Sequence, residues 1–282
     1  MIVHGFAEPR QPARVVVLGS SGFVGAALSR RLRAQSVDHL GVASKQIDLS
    51  DASARARLAE TLRPDDAVVM LAALTPDKGR DSATLMKNLA MMQNLCAALE
   101  KAACAHLVYF SSDAVYSFAS SLLSEETSPA PQDLYGMMHL AREAIARSTP
   151  KTRLLILRPT AIYGPGDTHN AYGPNRFRRS AEQEGKIRLF GAGEETRDHI
   201  HVDDVAAITV RCLMQRSTGI LNLATGRSLS FRRVAEIIAG EVAGSEIVLT
   251  PRANPITHRH YDVANLVKAF PDLRLTMLGE VR

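Results

Sequence analysis

Short apolar runs alternate with longer stretches of helical periodicity through most of the chain. The runs are rich in valine, isoleucine and leucine, which favours buried strands. Strands are predicted at 15–18, 37–44, 67–73, 106–110, 154–158 and 219–223, and helices at 26–32, 52–62, 84–103, 135–147 and 205–215. This alternation predicts an α/β fold, in which a parallel sheet carries helices on both faces.

A glycine-rich turn joins the first predicted strand to the first predicted helix. Glycines stand at positions 19, 22 and 25, directly after the apolar run 15–18. Glycine lets the backbone approach a pyrophosphate, and a helix N-terminus offers free N–H groups and a positive dipole end. The strand, turn and helix together therefore favour a dinucleotide-binding turn over an ordinary strand-to-helix connection.

The end of the second predicted strand bears on which dinucleotide binds. A site specific for NAD usually has an acidic residue there, which binds the ribose 2′-hydroxyl. This strand ends with Ser44 and Lys45 and has no carboxylate. A serine and a lysine can accommodate a 2′-phosphate, so the sequence favours NADP and leaves NAD open.

The pattern changes after Tyr163, where glycine-rich and proline-rich turns become frequent. A helix at 175–184, a strand at 187–190 and a helix at 231–243 are predicted after this point. Earlier in the chain, a surface loop is predicted at 117–134. We predict a Rossmann-type, doubly wound parallel sheet built from 1–165 and 199–225. A small discontinuous substrate-binding lobe is predicted from 166–198 and 226–282.

Composition narrows the classes of partner. The chain has 282 residues and a net charge of +5, and no apolar run approaches the roughly 20 residues of a membrane span. Its basic residues are spread through the predicted helices, without the pattern of a nucleic-acid module. Its three cysteines form no C-x-x-C pair, so neither a disulfide framework nor a zinc site is predicted. We expect a cytoplasmic protein without a nucleic-acid or membrane partner.

Candidate chemistry lies at the sheet edge where ligands of open α/β sheets bind. Ser112 follows the strand 106–110, and Tyr135 and His139 lie four residues apart on one helix face. A tyrosine hydroxyl has an ordinary pKa of about 10, and a neighbouring cation lowers that pKa, which makes the phenol a proton shuttle. Tyr135 is therefore a candidate acid/base beside Ser112. The alternative is a helix-start tyrosine with a solvent-facing histidine.

Further motifs accompany the glycine turn. They are Leu71-Ala72-Ala73, Asn88 in the following helix, FSSDAVY at 110–116, Tyr135-Gly136, RPTAIYGP at 158–165 and GAGEETRDHIHVDDV at 191–205. In combination these motifs resemble the extended short-chain dehydrogenase/reductases, and in particular the NAD-dependent epimerase/dehydratase family that acts on nucleotide sugars. The likeness runs from about residue 14 to at least residue 226.

The resemblance implies a cofactor site. The glycine turn would bind the pyrophosphate, 48–49 would flank the adenine, 71–73 would line the channel and 159–162 would meet the nicotinamide. The residues expected to contact NAD or NADP are Gly19, Ser21, Gly22, Phe23, Val24, Gly25, Ser44, Lys45, Asp48, Leu49, Leu71, Ala72, Ala73, Asn88, Tyr135, His139, Pro159 and Ile162.

The resemblance also implies a reaction on a nucleotide-diphosphate sugar. Ser112 would hydrogen-bond the reacting sugar oxygen, Tyr135 would be the acid/base, and hydride would pass between the nicotinamide and a ring carbon. The residues that fall where similar proteins bind the nucleotide diphosphate are Asn175, Arg197, Arg259 and Asp262. The leading hypothesis is an NAD(P)-dependent epimerase or 4-ketoreductase, working as a homodimer through helices 84–103 and 135–147.

Three departures from the family pattern bear on activity. The family has Tyr-x-x-x-Lys, whose lysine binds the nicotinamide ribose and lowers the tyrosine pKa, whereas His139 stands at that position here. Asp113 occupies the first acidic position of the dehydratases, but Ala114 lacks the second carboxylate, and Ala161 replaces a common asparagine. The missing second carboxylate at Ala114 disfavours dehydration. His139 in particular motivates a second hypothesis, a dinucleotide-binding sensor or scaffold with little catalysis.

Two pairs of polar residues near position 200 are interpreted as structural and not as catalytic or metal-binding. His199 and His201 share one face of a strand, but the sequence places no further ligand to complete a metal site, and no metal is predicted. Asp203 and Asp204 are predicted to cap the following helix rather than to act as paired catalytic carboxylates.

Overall fold

A computed structural model describes residues 2–149 and 152–280. Its strands are β1 (Arg14–Leu18), β2 (His39–Val42), β3 (Asp66–Met70), β4 (His106–Phe110), β5 (Leu122–Leu123), β6 (Leu154–Pro159), β7 (Ala161–Tyr163), β8 (Lys186–Phe190), β9 (Thr196–Arg197), β10 (His199–His201), β11 (Gly219–Leu223), β12 (Leu229–Ser230), β13 (Glu246–Thr250) and β14 (His260–Tyr261). Its helices are α1 (Phe23–Ala34), α2 (Ala54–Thr61), α3 (Ser82–Ala102), α4 (Leu134–Ser148), α5 (Pro174–Glu184), α6 (Val202–Met214), α7 (Phe231–Glu241) and α8 (Ala264–Ala269).

The described part of the chain is built around a six-stranded parallel sheet, in the order β11-β6-β4-β3-β1-β2. Successive residues of a strand point to opposite faces. Val15 and Val17 therefore pack in the cluster that contains α1 and α6, whereas Val16 and Leu18 pack with α2, α3 and α4. The predicted Rossmann-type, doubly wound sheet is confirmed. Its strand order reverses between β1 and β3, which opens a crevice at the carboxyl ends of these strands.

A separate hydrophobic cluster lies outside this sheet. Its members come from α5, β8 and α7 and include Phe177, Ile187, Leu189, Val234 and Ile238. The segments fall within the predicted lobe 166–198 and 226–282. From the same predicted lobe, Leu266 and Phe270 pack instead into the core of the main sheet. The last segment of the chain thus contributes to both hydrophobic clusters.

A short strand pair ties the C-terminal segment to the loop after β4. The sequence predicts only a surface loop over 117–134, but β5 forms within it and pairs in parallel with β14. Leu123 is fully buried because it packs with Val115 and Tyr261. This pairing brings the C-terminal segment to the carboxyl edge of the main sheet.

The helix predicted at 205–215 begins earlier, at Val202, and ends at Met214. Its N-cap is His201, whose Nδ1 accepts a hydrogen bond from the Asp203 N–H at 3.2 Å. The prediction that Asp203 and Asp204 cap this helix is therefore wrong. Both carboxylates lie inside the first turn, where negative charge interacts favourably with the helix dipole.

The helices predicted to form a dimer contact correspond to α3 and α4. These two helices pack against each other. They leave three large apolar side chains exposed, Met86 at 61%, Met137 at 46% and Leu134 at 37%. The homodimer stays a prediction.

Candidate active site

The glycine-rich turn follows β1 at the point where the strand order reverses. The Gly19 N–H donates to the Val42 carbonyl at 2.8 Å, and Gly19 has a φ of +93°, a conformation that favours glycine. A Cβ on Gly25 would lie 2.2 Å from the Gly19 carbonyl oxygen, so glycine is needed for α1 to begin against the turn. Among the described residues no side chain caps α1, whose N-cap is Gly22. Its free N–H groups fit a bound pyrophosphate.

Neighbouring backbone segments border the same turn. The N–H groups of Leu71 and Ala72 both donate to the Leu18 carbonyl, which places 71–73 beside the turn. Ser44 and Lys45 are exposed in the turn after β2. A little further on, Leu49 is buried, whereas Asp48 is exposed and its Oδ1 accepts from the N–H and hydroxyl of the nearby Ser50.

Asn88 shapes the segment after β3 from within α3. Its side chain is buried, and its Oδ1 accepts from the Leu74 N–H at 2.8 Å. Its Nδ2 donates to the carbonyls of Leu74 and Thr84 at 3.0 and 3.1 Å. Both amide hydrogens are therefore used within the protein. Asn88 thus holds the backbone at Leu74, and its contact with the cofactor stays a prediction.

The end of β6 and the start of β7 approach the glycine turn from the other side. Pro159 is buried at the end of β6. Ile162 pairs with Ile200 and packs on the cluster of Phe23 and Val202, so it lies against the first residue of α1. The predicted nicotinamide-side residues and the predicted pyrophosphate turn are thus brought together.

Ser112 and Tyr135 are brought together by the packing of α4 on the 3₁₀ turn Asp113–Val115. The N-cap of α4 is Asp133, whose Oδ1 accepts from the Gly136 N–H at 2.8 Å. A Cβ on Gly136 would lie 2.2 Å from the Ala114 carbonyl oxygen, so glycine allows this close approach. Ser112 Oγ accepts from the Ala114 N–H at 3.1 Å and also interacts with the Tyr135 hydroxyl.

The hydroxyl of Tyr135 is protonated in the cofactor-free protein. Burial and then the negative charge of Asp113 raise the pKa of Tyr135 to about 12. The Ser112 hydroxyl and the Arg142 guanidinium act in the opposite direction and lower this pKa. The phenol can therefore give a proton near neutral pH. It becomes a base more readily when further positive charge is placed beside it.

His139 is buried between two tyrosines. Its ring lies edge-on to Tyr135 with 4.6 Å between the ring centroids, and its Nδ1 is 2.7 Å from the Tyr109 hydroxyl. Burial, with the charge of Arg142, lowers the pKa of His139 well below its ordinary value, so the ring is neutral. The alternative of a solvent-facing histidine is wrong. Its Nε2 is buried and has no hydrogen-bond partner among the described residues, which fits a hydroxyl of a bound cofactor.

Asp113 is held by two residues from the C-terminal segment. Its Oδ2 accepts from the Tyr261 hydroxyl at 2.6 Å and from Arg259 Nη1 at 3.0 Å. Arg259 Nη2 also donates to the carbonyls of Asp113 and Tyr116. Both Nη atoms of Arg259 are thus engaged within the protein, so this geometry does not support a bidentate contact between Arg259 and substrate. Arg259 instead compensates the charge of Asp113.

Arg197 lies near Arg259 in a positively charged part of the site. Burial and then the charge of Arg259 lower the pKa of Arg197. Arg197 Nη1 donates to the Thr257 carbonyl and its Nη2 donates to Thr257 Oγ1, at 2.8 and 2.6 Å. Because Arg259 compensates Asp113, Arg197 is the guanidinium of this pair that suits a diphosphate.

The other two predicted substrate residues make local contacts. Asn175 Oδ1 accepts from the Gly164 N–H at 3.1 Å and so fixes the turn after β7. Asp262 is exposed, and its Oδ1 accepts from the Ala264 N–H at 2.8 Å at the start of α8. Neither contact draws these side chains to Ser112 or Tyr135.

A buried ion pair that the sequence analysis does not predict lies beneath the site. Arg158 Nε and Nη2 donate to the two carboxylate oxygens of Glu143 at 2.8 and 2.7 Å. The Ser111 hydroxyl donates to Glu143 at 2.6 Å, and Arg158 Nη1 donates to the Tyr116 hydroxyl at 2.9 Å. This network joins α4 to β4 and β6 and so fixes the helix that carries Tyr135.

Within residues 2–149 and 152–280, no group of three His, Cys, Asp or Glu side chains could hold a metal ion. The described helices include none with the length and apolar character needed to span a membrane.

The doubly wound sheet, the glycine turn and the adjacent serine and tyrosine define an extended short-chain dehydrogenase/reductase. The NAD dependent epimerase/dehydratase family matches residues 15–224. The chain belongs to this family, as its motifs predict.

Several known proteins are similar to this chain. The ADP-L-glycero-D-manno-heptose-6-epimerase of Cupriavidus pinatubonensis is 27% identical over 269 residues, which cover 82% of this chain and 79% of that protein. The structure of MoeE5 in complex with UDP-glucose and NAD has a TM-score of 0.79 and 25% identity, covering 94% of this chain and 95% of that chain. The structure of RMD from Pseudomonas aeruginosa complexed with NADPH has a TM-score of 0.78 and 27% identity, covering 92% of each chain. Both dinucleotides therefore occur among similar proteins.

Proposed function

We propose that the protein is an NAD(P)-dependent epimerase or 4-ketoreductase that acts on a nucleotide-diphosphate sugar. The observation that carries this proposal is the proximity of Ser112 and Tyr135 at the carboxyl edge of the sheet. Membership of the family and the similarity to a heptose epimerase support a sugar substrate. A bound nicotinamide cofactor would supply the hydride chemistry.

Tyr135 and Ser112 have different roles at the reacting sugar oxygen. In the direction of ketone reduction, Tyr135 gives its hydroxyl proton to the carbonyl oxygen, and Ser112 hydrogen-bonds the same oxygen. In the direction of alcohol oxidation, the ionised Tyr135 takes the hydroxyl proton. Tyr135 is protonated near neutral pH, which suits the first direction without further change.

The cofactor would be held by the glycine turn and by His139. The free N–H groups at the start of α1 bind the pyrophosphate, and the unpartnered Nε2 of His139 bonds a ribose hydroxyl. Exposed Ser44 and Lys45 stand where a 2′-phosphate would lie, so we propose NADP in preference to NAD.

The substrate would lie between the main sheet and the lobe 166–198 and 226–282. The separate hydrophobic cluster of this lobe and the charge of Arg197 support this placement. Dehydration is disfavoured because Asp113 is neutralised by Arg259 and hydrogen-bonded by Tyr261, and the next residue is an alanine.

A second candidate function is a dinucleotide-binding sensor. The observation that favours it is the neutral ring of His139, which cannot lower the pKa of Tyr135 as a charged group would. A protein of this kind would bind its cofactor and leave sugars unchanged.

A turnover panel separates the two candidates. The protein is incubated with NADH or NADPH and with UDP-, dTDP-, GDP- and ADP-sugars and their 4-keto forms. The Tyr135→Phe variant is expected to lose turnover by about a hundredfold or more and to retain cofactor affinity in calorimetry. Tyr172→Phe, which removes a phenol hydroxyl in the lobe, serves as the matched control. Tight cofactor binding without turnover across the panel would support the sensor.

A further inference from the structure

Arg142 is a cation buried inside the candidate active site. Its side chain is 0% exposed. Its Nη2 donates to the Ala72 carbonyl at 2.9 Å, and its Nη1 lies 3.8 Å from Met138 Sδ. Its Nε is buried and has no hydrogen-bond partner among the described residues. Removing such a cation from water is costly unless nearby groups interact favourably with its charge.

The nearest acid on α4 does not compensate this charge. Glu143 follows Arg142 directly, but its carboxylate pairs with Arg158 at 2.7 Å and with Arg147 at 3.0 Å. Within the described residues, Arg142 forms no ion pair with any carboxylate. Its positive charge therefore interacts with the neighbouring aromatic side chains and not with a carboxylate.

The rings of Tyr109 and His139 lie between the Arg142 guanidinium and the ring of Tyr135. The guanidinium carbon lies 5.1 Å from the centroid of the Tyr109 ring. The Tyr109 hydroxyl lies 2.7 Å from His139 Nδ1, and the His139 ring packs edge-on against Tyr135. The guanidinium thus lies within one small buried group with the imidazole and both phenols.

The groups that act on the pKa of Tyr135 are three charged side chains and one hydroxyl. Asp113 on the 3₁₀ turn and Asp133 at the start of α4 raise the pKa of Tyr135, in addition to burial. The Ser112 hydroxyl after β4 lowers it. Arg142 is the cation in this set, and its charge lowers the pKa of both Tyr135 and His139.

We propose that Arg142 is the positioning cation of this active site, and that its unpaired charge acts on the proton of Tyr135 through the buried group of Tyr109, a neutral His139 and Tyr135. The catalytic consequence rests on the proposed function. Burial keeps Tyr109 protonated, and among the described residues its hydroxyl has His139 Nδ1 as its hydrogen-bond partner. We therefore assign Nδ1 as the acceptor and place the ring proton of His139 on Nε2. His139 then supplies a hydrogen-bond donor, and the positive charge comes from Arg142.

The proposal is tested on the cofactor-free protein, so that its failure is separate from a failure of turnover. A single 3,5-difluorotyrosine is introduced at position 135, because the fluorines bring the phenol ionisation into the pH range of the folded protein. Fluorine NMR follows this phenol in the wild type, Arg142→Gln, Arg142→Met and Arg142→Lys. Arg147→Gln removes an equal charge from an exposed position on the same helix and is the matched control.

The expected result is a shift of the phenol midpoint upward by about one pH unit in Arg142→Gln and Arg142→Met. Arg142→Lys should stay near the wild type, and Arg147→Gln should not shift. An unchanged midpoint in folded Arg142→Gln or Arg142→Met would overturn the proposal, as would an equal shift in Arg147→Gln.

A measurement on the unsubstituted protein tests the proposal even if the Arg142 variants do not fold. Nitrogen NMR of labelled histidine should show His139 neutral at pH 6, with its proton on Nε2. A charged His139 at pH 6, or a ring proton on Nδ1, would overturn the proposal without any substitution at Arg142.

Discussion

His139 and Arg142 share one buried volume, and the protein keeps only one of them charged. The guanidinium cannot lose its proton in a protein, so the imidazole is the partner that stays neutral. Its pKa is lowered by burial and by the charge of Arg142. The histidine at the position of the family lysine is therefore consistent with an arginine three residues further along the same helix.

Replacing His139 by lysine is expected to destabilise the protein. The new ammonium would lie beside the buried guanidinium of Arg142. Two buried positive charges would then repel each other, and an uncompensated buried charge costs about 3 kcal/mol. Combining His139→Lys with Arg142→Met should recover about 1 kcal/mol or more beyond additivity. Urea unfolding of the wild type, both single variants and the double variant measures this coupling. Strictly additive effects would show that the two side chains do not share one electrostatic environment.

The sequence indicates the candidate reacting residues more readily than the side chains around them. Ser112 and Tyr135 stand at strand and helix ends, where position alone indicates a site. Tyr109 lies within an apolar run, and nothing in its spacing singles out its hydroxyl. Arg142 is one of many basic helix residues, most of which face solvent, so its burial has no sequence signal. Tyr261 reaches Asp113 only through the pairing of β5 and β14, which the sequence analysis does not predict.

At the scale of elements, the distance between the Ser112 and Tyr135 side chains depends on how closely α4 approaches the 3₁₀ turn after β4. Gly136 faces the Ala114 carbonyl across this contact, and the Glu143–Arg158 pair fixes the same helix further along. Motif and periodicity predict both elements, but the close packing between them depends on atoms that no pattern along the chain describes.

The Gly136→Ala variant is expected to separate Tyr135 from Ser112. Its Cβ would meet the Ala114 carbonyl oxygen at 2.2 Å, so the start of α4 must move. Turnover should fall by about tenfold or more, because small misplacements of reacting groups are costly. The control is Gly240→Ala in α7, where an added Cβ meets nothing within 4 Å. If Gly136→Ala retained full turnover, the close approach of α4 would not be what positions Tyr135.

At the scale of the whole molecule, several neutral histidines are buried in different parts of the fold. His106 begins β4 of the main sheet, and its Nε2 lies 2.7 Å from the Ser217 carbonyl oxygen, whereas His199 lies beside Phe231 near the lobe. Burial lowers the pKa of each to about 4. His139 is the third such group, within the candidate active site.

These histidines predict a loss of stability on mild acidification. The pKa of His106 and His199 is about 4 in the folded state and about 6.5 in the unfolded chain. The unfolded chain therefore binds more protons between these pH values, and the free energy of unfolding falls as the pH falls from 6.5 toward 4. His106→Gln should reduce that slope by about 1 kcal/mol per pH unit and leave a constant difference above pH 7. Chemical unfolding across pH 4 to 8 measures it, and an unchanged slope would contradict the buried neutral state of His106.

Hydride transfer observed directly is the sharpest test of the central claim that Tyr135 performs proton transfer in a nicotinamide-dependent reaction on a nucleotide sugar. The protein is loaded with NAD or NADP, mixed rapidly with each nucleotide sugar, and followed through the absorbance of reduced nicotinamide. The account predicts a signal for at least one sugar in the wild type and its loss in Tyr135→Phe at equal cofactor occupancy. An equal signal in Tyr135→Phe, or no signal with any sugar in either direction, would contradict it.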